Sequence, residues 1–349
     1  MVKPFMFRNL IVLLSILFIT GIALEVSADM PIGSYFTLVD ENNNIIHQTG
    51  MRVHKGDEYI SADNSRYQVI EIVGNMARCS YQGKEIMPDI ALDSKQNALL
   101  GNIEVVPVPA QANKKPTIAL YHTHSDESYI VGDGTESVNG KGGIYDVGQV
   151  LKERLEKMGF NVIYNENNHN PHDVNAYNRS RKTALNLLKQ RPDIILDIHR
   201  DAVPAEQYST TVKGKDATKV KLVVGRENPN MKTNLEFAKK IKAAMDAKRP
   251  GLSNGIFLGK GDFNQDLSPR SILIEVGSHT NPKSDAEEGI TLFADVLPTI
   301  MGITPSGEPA GKPLSKESQG AGTTILIILV VVAAAGGGFY LLNRGSTSR

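Results

Sequence analysis

The spacing of apolar and polar residues changes near Pro116. Before it, runs such as "SYFTLVD", "RYQVIEIVG" and "MARCSYQG" alternate with period two, broken by "DENNN" and "HKGDEY". Alternation bounded by Gly, Asn and Asp predicts a small β-rich domain over residues 29–106. This stretch carries no catalytic constellation, and His47 and His54 read as exposed strand or turn residues. "PVPAQANKKP", residues 107–116, reads as a linker. From 117 to 303, apolar runs at 117–123, 160–164, 193–199, 218–225 and 271–277 predict strands. Between the first two, "YDVGQVLKERLEKMGF" places Val147, Val150, Leu151, Leu155 and Met158 on one helix face, with Gly159 as its stop. "DVNAYNRSRKTALNLLKQ" and "PNMKTNLEFAKKIKAAMDAK" carry similar stripes. Strands alternating with helices predict an α/β fold with a mostly parallel central sheet and helices on both faces.

The two ends follow other rules. Residues 1–28 have a short basic lead, Lys3 and Arg8, then an apolar stretch from Leu10 to Leu24 and small residues before Asp29. That order predicts a secretory signal cleaved after Ala28, with an uncleaved anchor as the alternative. "TTILIILVVVAAAGGGFYLL", residues 323–342, has no charge and the length of a transmembrane helix. Arg344 and Arg349 in the 343–349 tail predict a cytoplasmic end. The Gly-, Pro- and Ser-rich stretch 304–322 reads as a flexible linker. The expected location is the cell membrane, single-pass, with the catalytic domain outside the cytoplasm.

Charge and cysteine content narrow the chemistry. With 38 basic and 38 acidic side chains, the chain has no basic surplus to attract nucleic acid. Cys79 is the only cysteine, so neither an intramolecular disulfide nor a cysteine-based zinc site can form. Any metal must be held by His, Asp or Glu.

Such residues close the predicted strands. His122 and His124 follow one, in "LYHTHSDESY"; His199 closes "DIILDIHRDA"; Glu275 lies in "SILIEVGSHTNP". In open α/β sheets ligands bind beyond the carboxyl ends of the strands, so the fold should gather these residues at one edge. His124, Glu127 and His199 offer two imidazoles and a carboxylate, a set that suits one catalytic zinc. Glu275 suits a general base or acid. Each has a simpler reading: a strand-end histidine can bond a loop, and Glu127 can cap a turn. A carboxylate inside "ILIEVG" is harder to explain that way, because burying it without a partner is costly. Arg200 could bind a substrate carboxylate or pair with Asp201. Asn264 and Gln265, in "FNQDLSPR", could bond peptide amides or form a turn. His169 and His172, in "NNHNPHD", read as a solvated loop, and His279 could join the site.

Taken in order, "YHTHSDESY", "DIHRDA", "FNQDLSP" and "ILIEVGSHTNP" resemble the stage II sporulation protein P family over about residues 115–300. That family resembles zinc-dependent N-acetylmuramoyl-L-alanine amidases. The resemblance implies a phosphorylase/hydrolase-like fold, one catalytic zinc, and a peptidoglycan substrate cut between muramic acid and L-Ala. It matches His124, rather than His122, and His199 to the histidine ligands, and Glu275 to the catalytic glutamate. Glu127 is the first choice for the carboxylate ligand and Glu136 the alternative. His122 would then orient a ligand or contact substrate. Other sporulation wall hydrolases are partners that the resemblance implies. Two further readings stay open: an endopeptidase on the same fold, and a wall-binding paralogue without turnover.

Overall fold

Period-two alternation before Pro116 becomes five strands: β1 (Phe36–Val39), β2 (Ile45–Thr49), β3 (Glu58–Ile60), β4 (Ser65–Val73) and β5 (Met76–Lys84). The next part runs β6 (Thr117–Tyr121), the short α1 (Ile130–Asp133), α2 (Ile144–Lys157), β7 (Asn161–Tyr164), α3 (Ala176–Leu188) and β8 (Ile194–Asp201). A hairpin of β9 (Ser209–Val212) and β10 (Lys215–Thr218) leads into β11 (Val220–Gly225), α4 (Met231–Lys248) and β12 (Ser253–Gly259). The last elements are β13 (Ser271–Ser278), α5 (Lys283–Ala294) and α6 (Leu297–Ile300). This computed structural model describes residues 33–90, 115–173 and 175–301. The leader, most of the 107–116 linker and the apolar run 323–342 lie outside the described residues. Among the described residues, no helix is long and apolar enough to cross a membrane.

The helix predicted after Pro116 forms as its stripe requires. α2 buries Val147, Leu151 and Leu155. Gly159, at φ +91°, supplies the left-handed residue just past its end.

Sheet direction differs from expectation. Among the described residues, eleven strands form one sheet in the order β2-β1-β5-β4-β3-β12-β11-β13-β8-β6-β7. Strands β13, β8, β6 and β7 run parallel, and so do β11 and β12. However, β11 meets β13 antiparallel, as β3 meets β12, β4 meets β3 and β5 meets β4. The sheet is mixed, not mostly parallel. A parallel return needs a crossover, usually a helix. The 260–270 connection carries no such helix, so the chain steps over β11 and comes back down as β13.

The second face also differs. Ile118, Leu120, Leu196, Ile198, Leu222 and Ile274 form one core with α2, α4 and α5. On the other face, Tyr121 and Ile195 meet Ala184 and Leu187 of α3. Beside them, Val223, Phe257 and Leu273 pack on Phe36, Leu38, Met51 and Val69. The sheet therefore curls, and its own first strands cover the part of this face that α3 does not.

The curl moves His47 inside. Expected at an exposed position, it is 2% exposed and stacks on Tyr59 with ring centroids 4.1 Å apart. Burial, aided by the Lys221 charge, pushes its imidazole from 6.5 down to about 3. Burial likewise pushes His122 down to about 4. An unfolded chain takes up these protons as pH falls through about 6.5, while the folded chain does not. Stability is therefore lost from that pH downward, by about 2 kcal/mol per histidine at about pH 5. Glu275 and His199 titrate in the opposite sense over this range, so the contribution is read as the difference in urea stability between wild type and His47→Phe, compared at about pH 7.5 and about pH 5. His47→Phe keeps a ring against Tyr59 and should make the loss smaller; an unchanged loss would count against the assignment.

Candidate active site

Strands β6, β8 and β13 are parallel neighbours, so their carboxyl ends reach one edge. The chain leaves β6 there, and residues 122–129 are all buried. Pairing then sets Glu275 of β13 directly beside His199 of β8. Paired residues share a sheet face, so both side chains project the same way.

Two imidazoles converge on one carboxylate oxygen. His124 Nδ1 lies 3.3 Å from Glu127 Oε1, and His199 Nδ1 lies 3.4 Å from the same atom. The ligand atoms of His124, Glu127 and His199 all fall within 4.8 Å of one another. Behind His199, Asp197 Oδ1 stands 3.0 Å from Nε2. Asp197 is itself fixed by the Thr123 N–H at 2.8 Å and the Thr123 hydroxyl at 2.6 Å. A carboxylate behind a histidine, fixing its orientation, is a recurrent feature of metal sites.

Charge favours a cation here. Burial opposes the His199 charge, but Asp197 and Glu127 outweigh it and hold the imidazole well above its usual range. Burial also opposes the Glu127 charge, but His199, His124 and Arg200 hold that carboxyl well below the usual carboxylate range. A metal ion on His199 Nδ1 would take the place of that proton, leaving a neutral imidazole between the Asp197 and Glu127 carboxylates. Two imidazole nitrogens with a carboxylate suit zinc.

Glu275 behaves differently. It is 5% exposed, and its Oε2 has no hydrogen-bond partner among the described residues. Burial, then the Asp201 charge, pushes its carboxyl from 4.5 up to about 8. Such a carboxyl exchanges a proton near neutral pH, as acid–base catalysis requires.

The remaining candidates separate by location. Glu136 stays out of the cluster; its backbone carbonyl accepts Arg200 Nη2 at 3.0 Å. Arg200 is buried, with its N–H donating to Glu127 Oε2 at 3.1 Å and its Nε to the Ser128 carbonyl at 3.2 Å. It does not pair with Asp201, because consecutive strand residues face opposite sides. His122 sits between the Ile198 carbonyl at 2.9 Å and the Tyr164 hydroxyl at 2.8 Å. Gln265 is fully buried and bonds the Gly225 N–H and the Val223 carbonyl. Asn264 bonds the Tyr177 carbonyl and Ser180. His279 is only half-buried.

The 165–173 loop is not simply solvated. His169 is buried, 2.6 Å from the His122 carbonyl and 2.8 Å from Thr183 Oγ1. His172 stacks on His124 at 3.8 Å between centroids and lies 3.1 Å from Asp126 Oδ1. The loop folds back over the end of β6, where the Asn165 N–H bonds the Leu120 carbonyl. Two residues escaped the sequence reading, Asp197 and Lys221. Both carry the signal that exposed Glu275, a charge inside an apolar run.

Residues 41–298 match the family model for stage II sporulation protein P (SpoIIP). The chain belongs to the stage II sporulation protein P family. It is 28% identical over 228 residues to the stage II sporulation protein P of Bacillus subtilis (strain 168). That match takes in 60% of this chain and 57% of the relative, so it spans little more than half the relative's length. A solved N-acetylmuramoyl-L-alanine amidase from Clostridium difficile 630 aligns over 53% of this chain and 94% of its own, at 14% identity and a TM-score of 0.34. A likeness that slight does not bear on the chemistry. Within the span matched to the sporulation protein P family lie His124, Glu127, His199 and Glu275, and also strands β2 to β5.

Proposed function

We propose that this chain is a zinc-dependent peptidoglycan hydrolase. It cuts the amide between N-acetylmuramic acid and the L-Ala of the stem peptide. The observation that carries the reading is the convergence of His124, His199 and Glu127, backed by Asp197, with Glu275 on the adjoining strand. His124 Nδ1, His199 Nδ1 and Glu127 Oε1 would hold the zinc. When bound, zinc supplies Lewis acidity, polarising a carbonyl and acidifying a water molecule.

The chain's own groups account for the rest. Asp197 holds the His199 ring with Nδ1 turned toward the site. Arg200 ties Glu127 to the 128–136 loop and fixes its carboxylate. Glu275 accepts a proton from the attacking water and passes it to the departing L-Ala nitrogen. Burial keeps Glu275 able to hold that proton. The products are a lactoyl carboxylate on the sugar and a peptide with a free L-Ala amino group. The apolar run 323–342 would tether the enzyme to the membrane, with peptidoglycan in reach of the 304–322 linker.

Full-length protein incubated with peptidoglycan tests the reading. New L-Ala amino termini should form, cease with chelator and return with added zinc. Different new termini would point to an endopeptidase. Wall binding without any cleavage, zinc present, overturns both enzymatic readings.

A further inference from the structure

The row that holds Glu275 continues beyond it. Antiparallel pairing places Lys221 of β11 beside Glu275, opposite His199. All three therefore share one sheet face. Lys221 is fully buried. Its ammonium donates to Thr49 Oγ1 at 2.9 Å and to the Asp201 carboxylate. A lysine this deep is tolerated only when paired and hydrogen-bonded. Asp201 stands two residues past His199 on β8 and so faces the same side.

The other partners of Asp201 come from elsewhere in the chain. The Gly50 N–H donates to it at 2.7 Å, and the Tyr208 hydroxyl at 2.8 Å. Thr49 ends β2, the outermost strand of the sheet, and Gly50 follows it. By pairing order this strand is remote from β8, yet the curl of the sheet brings its end against the catalytic edge. The contact has no slack. A Cβ on Gly50 would stand 2.8 Å from Ala202 Cβ and 3.0 Å from Asp201 Oδ1.

We infer that the Thr49–Gly50 corner positions the catalytic site: through Lys221 and Asp201 it fixes the strand end that sets His199 against Glu275. Thr49, Gly50, Lys221 and Asp201 are thus positioning residues for the reaction proposed above, and the inference rests on that reading. The N-terminal strands supply part of the active-site framework.

Thr49→Val removes only the hydroxyl, Thr49→Ser keeps it, and Gly50→Ala drives a methyl into the contact. All are made in the full chain and assayed on purified peptidoglycan. Thr49→Val should lower kcat about tenfold at unchanged KM, the scale of one hydrogen bond to a charged group. Thr49→Ser should restore it, and Gly50→Ala should repeat the loss. Amide hydrogen exchange over residues 199–203 should quicken in Thr49→Val and Gly50→Ala. Unchanged kcat overturns the inference. So does a loss that only tracks the folded fraction and is not recovered by serine. If the wild-type chain releases no L-Ala termini, the proposed reaction fails instead. Exchange at 199–203 still decides the corner's role, and identical exchange in all variants rejects it.

Discussion

Glu275→Gln should leave a folded, zinc-loaded protein that turns over peptidoglycan about a thousandfold more slowly, within the range for losing a general acid–base group. The substitution keeps shape and volume but removes the group that holds the proton. It should also change stability. The Glu275 carboxyl rises from 4.5 to about 8 on folding because it is buried, with Asp201 adding to the effect. Between those values the folded state holds a proton that the unfolded state has released. Stability is therefore fully present below about 4.5 and is lost as pH climbs toward about 8. Glutamine has no such dependence. The metal-free variant should unfold at a higher temperature than metal-free wild type at about pH 8, with the gap closing near pH 5. Steady-state kinetics, zinc analysis and thermal unfolding at both pH values test this. Unchanged turnover would refute the role given to Glu275.

Glu127→Gln should weaken zinc binding by well over about a hundredfold, more than the usual loss for a group behind a ligand. Glu127 Oε1 is the atom that both His124 and His199 face, and Oε2 accepts the Arg200 N–H. Glutamine keeps the volume but not the charge, leaving His199 and Arg200 short of a counter-ion. Asp197→Asn offers a graded comparison. It leaves the three ligands in place and should cost about 10–100-fold in affinity. Competition with a coloured chelator measures both. Glu136→Gln is the control: if it abolishes binding while Glu127→Gln does not, the carboxylate ligand is Glu136.

Much of the candidate site was legible in the residues. Glu275 inside "ILIEVG" and histidines at strand ends pointed to one place, because strand direction and burial leave few uses for such residues. Asp197 and Lys221 sit in apolar runs of the same kind. His172 reaches His124 only through a loop that folds back, and no local spacing encodes that. Strand direction was equally hidden. Apolar periodicity marks β11 and β13 as buried but does not say which way either runs. The alternation before Pro116 revealed strands, yet nothing in it shows that they continue the same sheet and cover its second face. His47 was misplaced for that reason.

The seam between β3 and β12 should slow the folding of this chain. It joins segments far apart in sequence: Tyr59 bonds the Asn254 carbonyl across 195 positions. Contacts of that range close large loops before they return any stabilisation, which slows folding. The first strands emerge from synthesis early and must wait for β12. Until then β3 presents an open edge, the kind of surface that recruits other chains. A chain shortened before Ser253 would keep that edge permanently and should aggregate where the full chain folds.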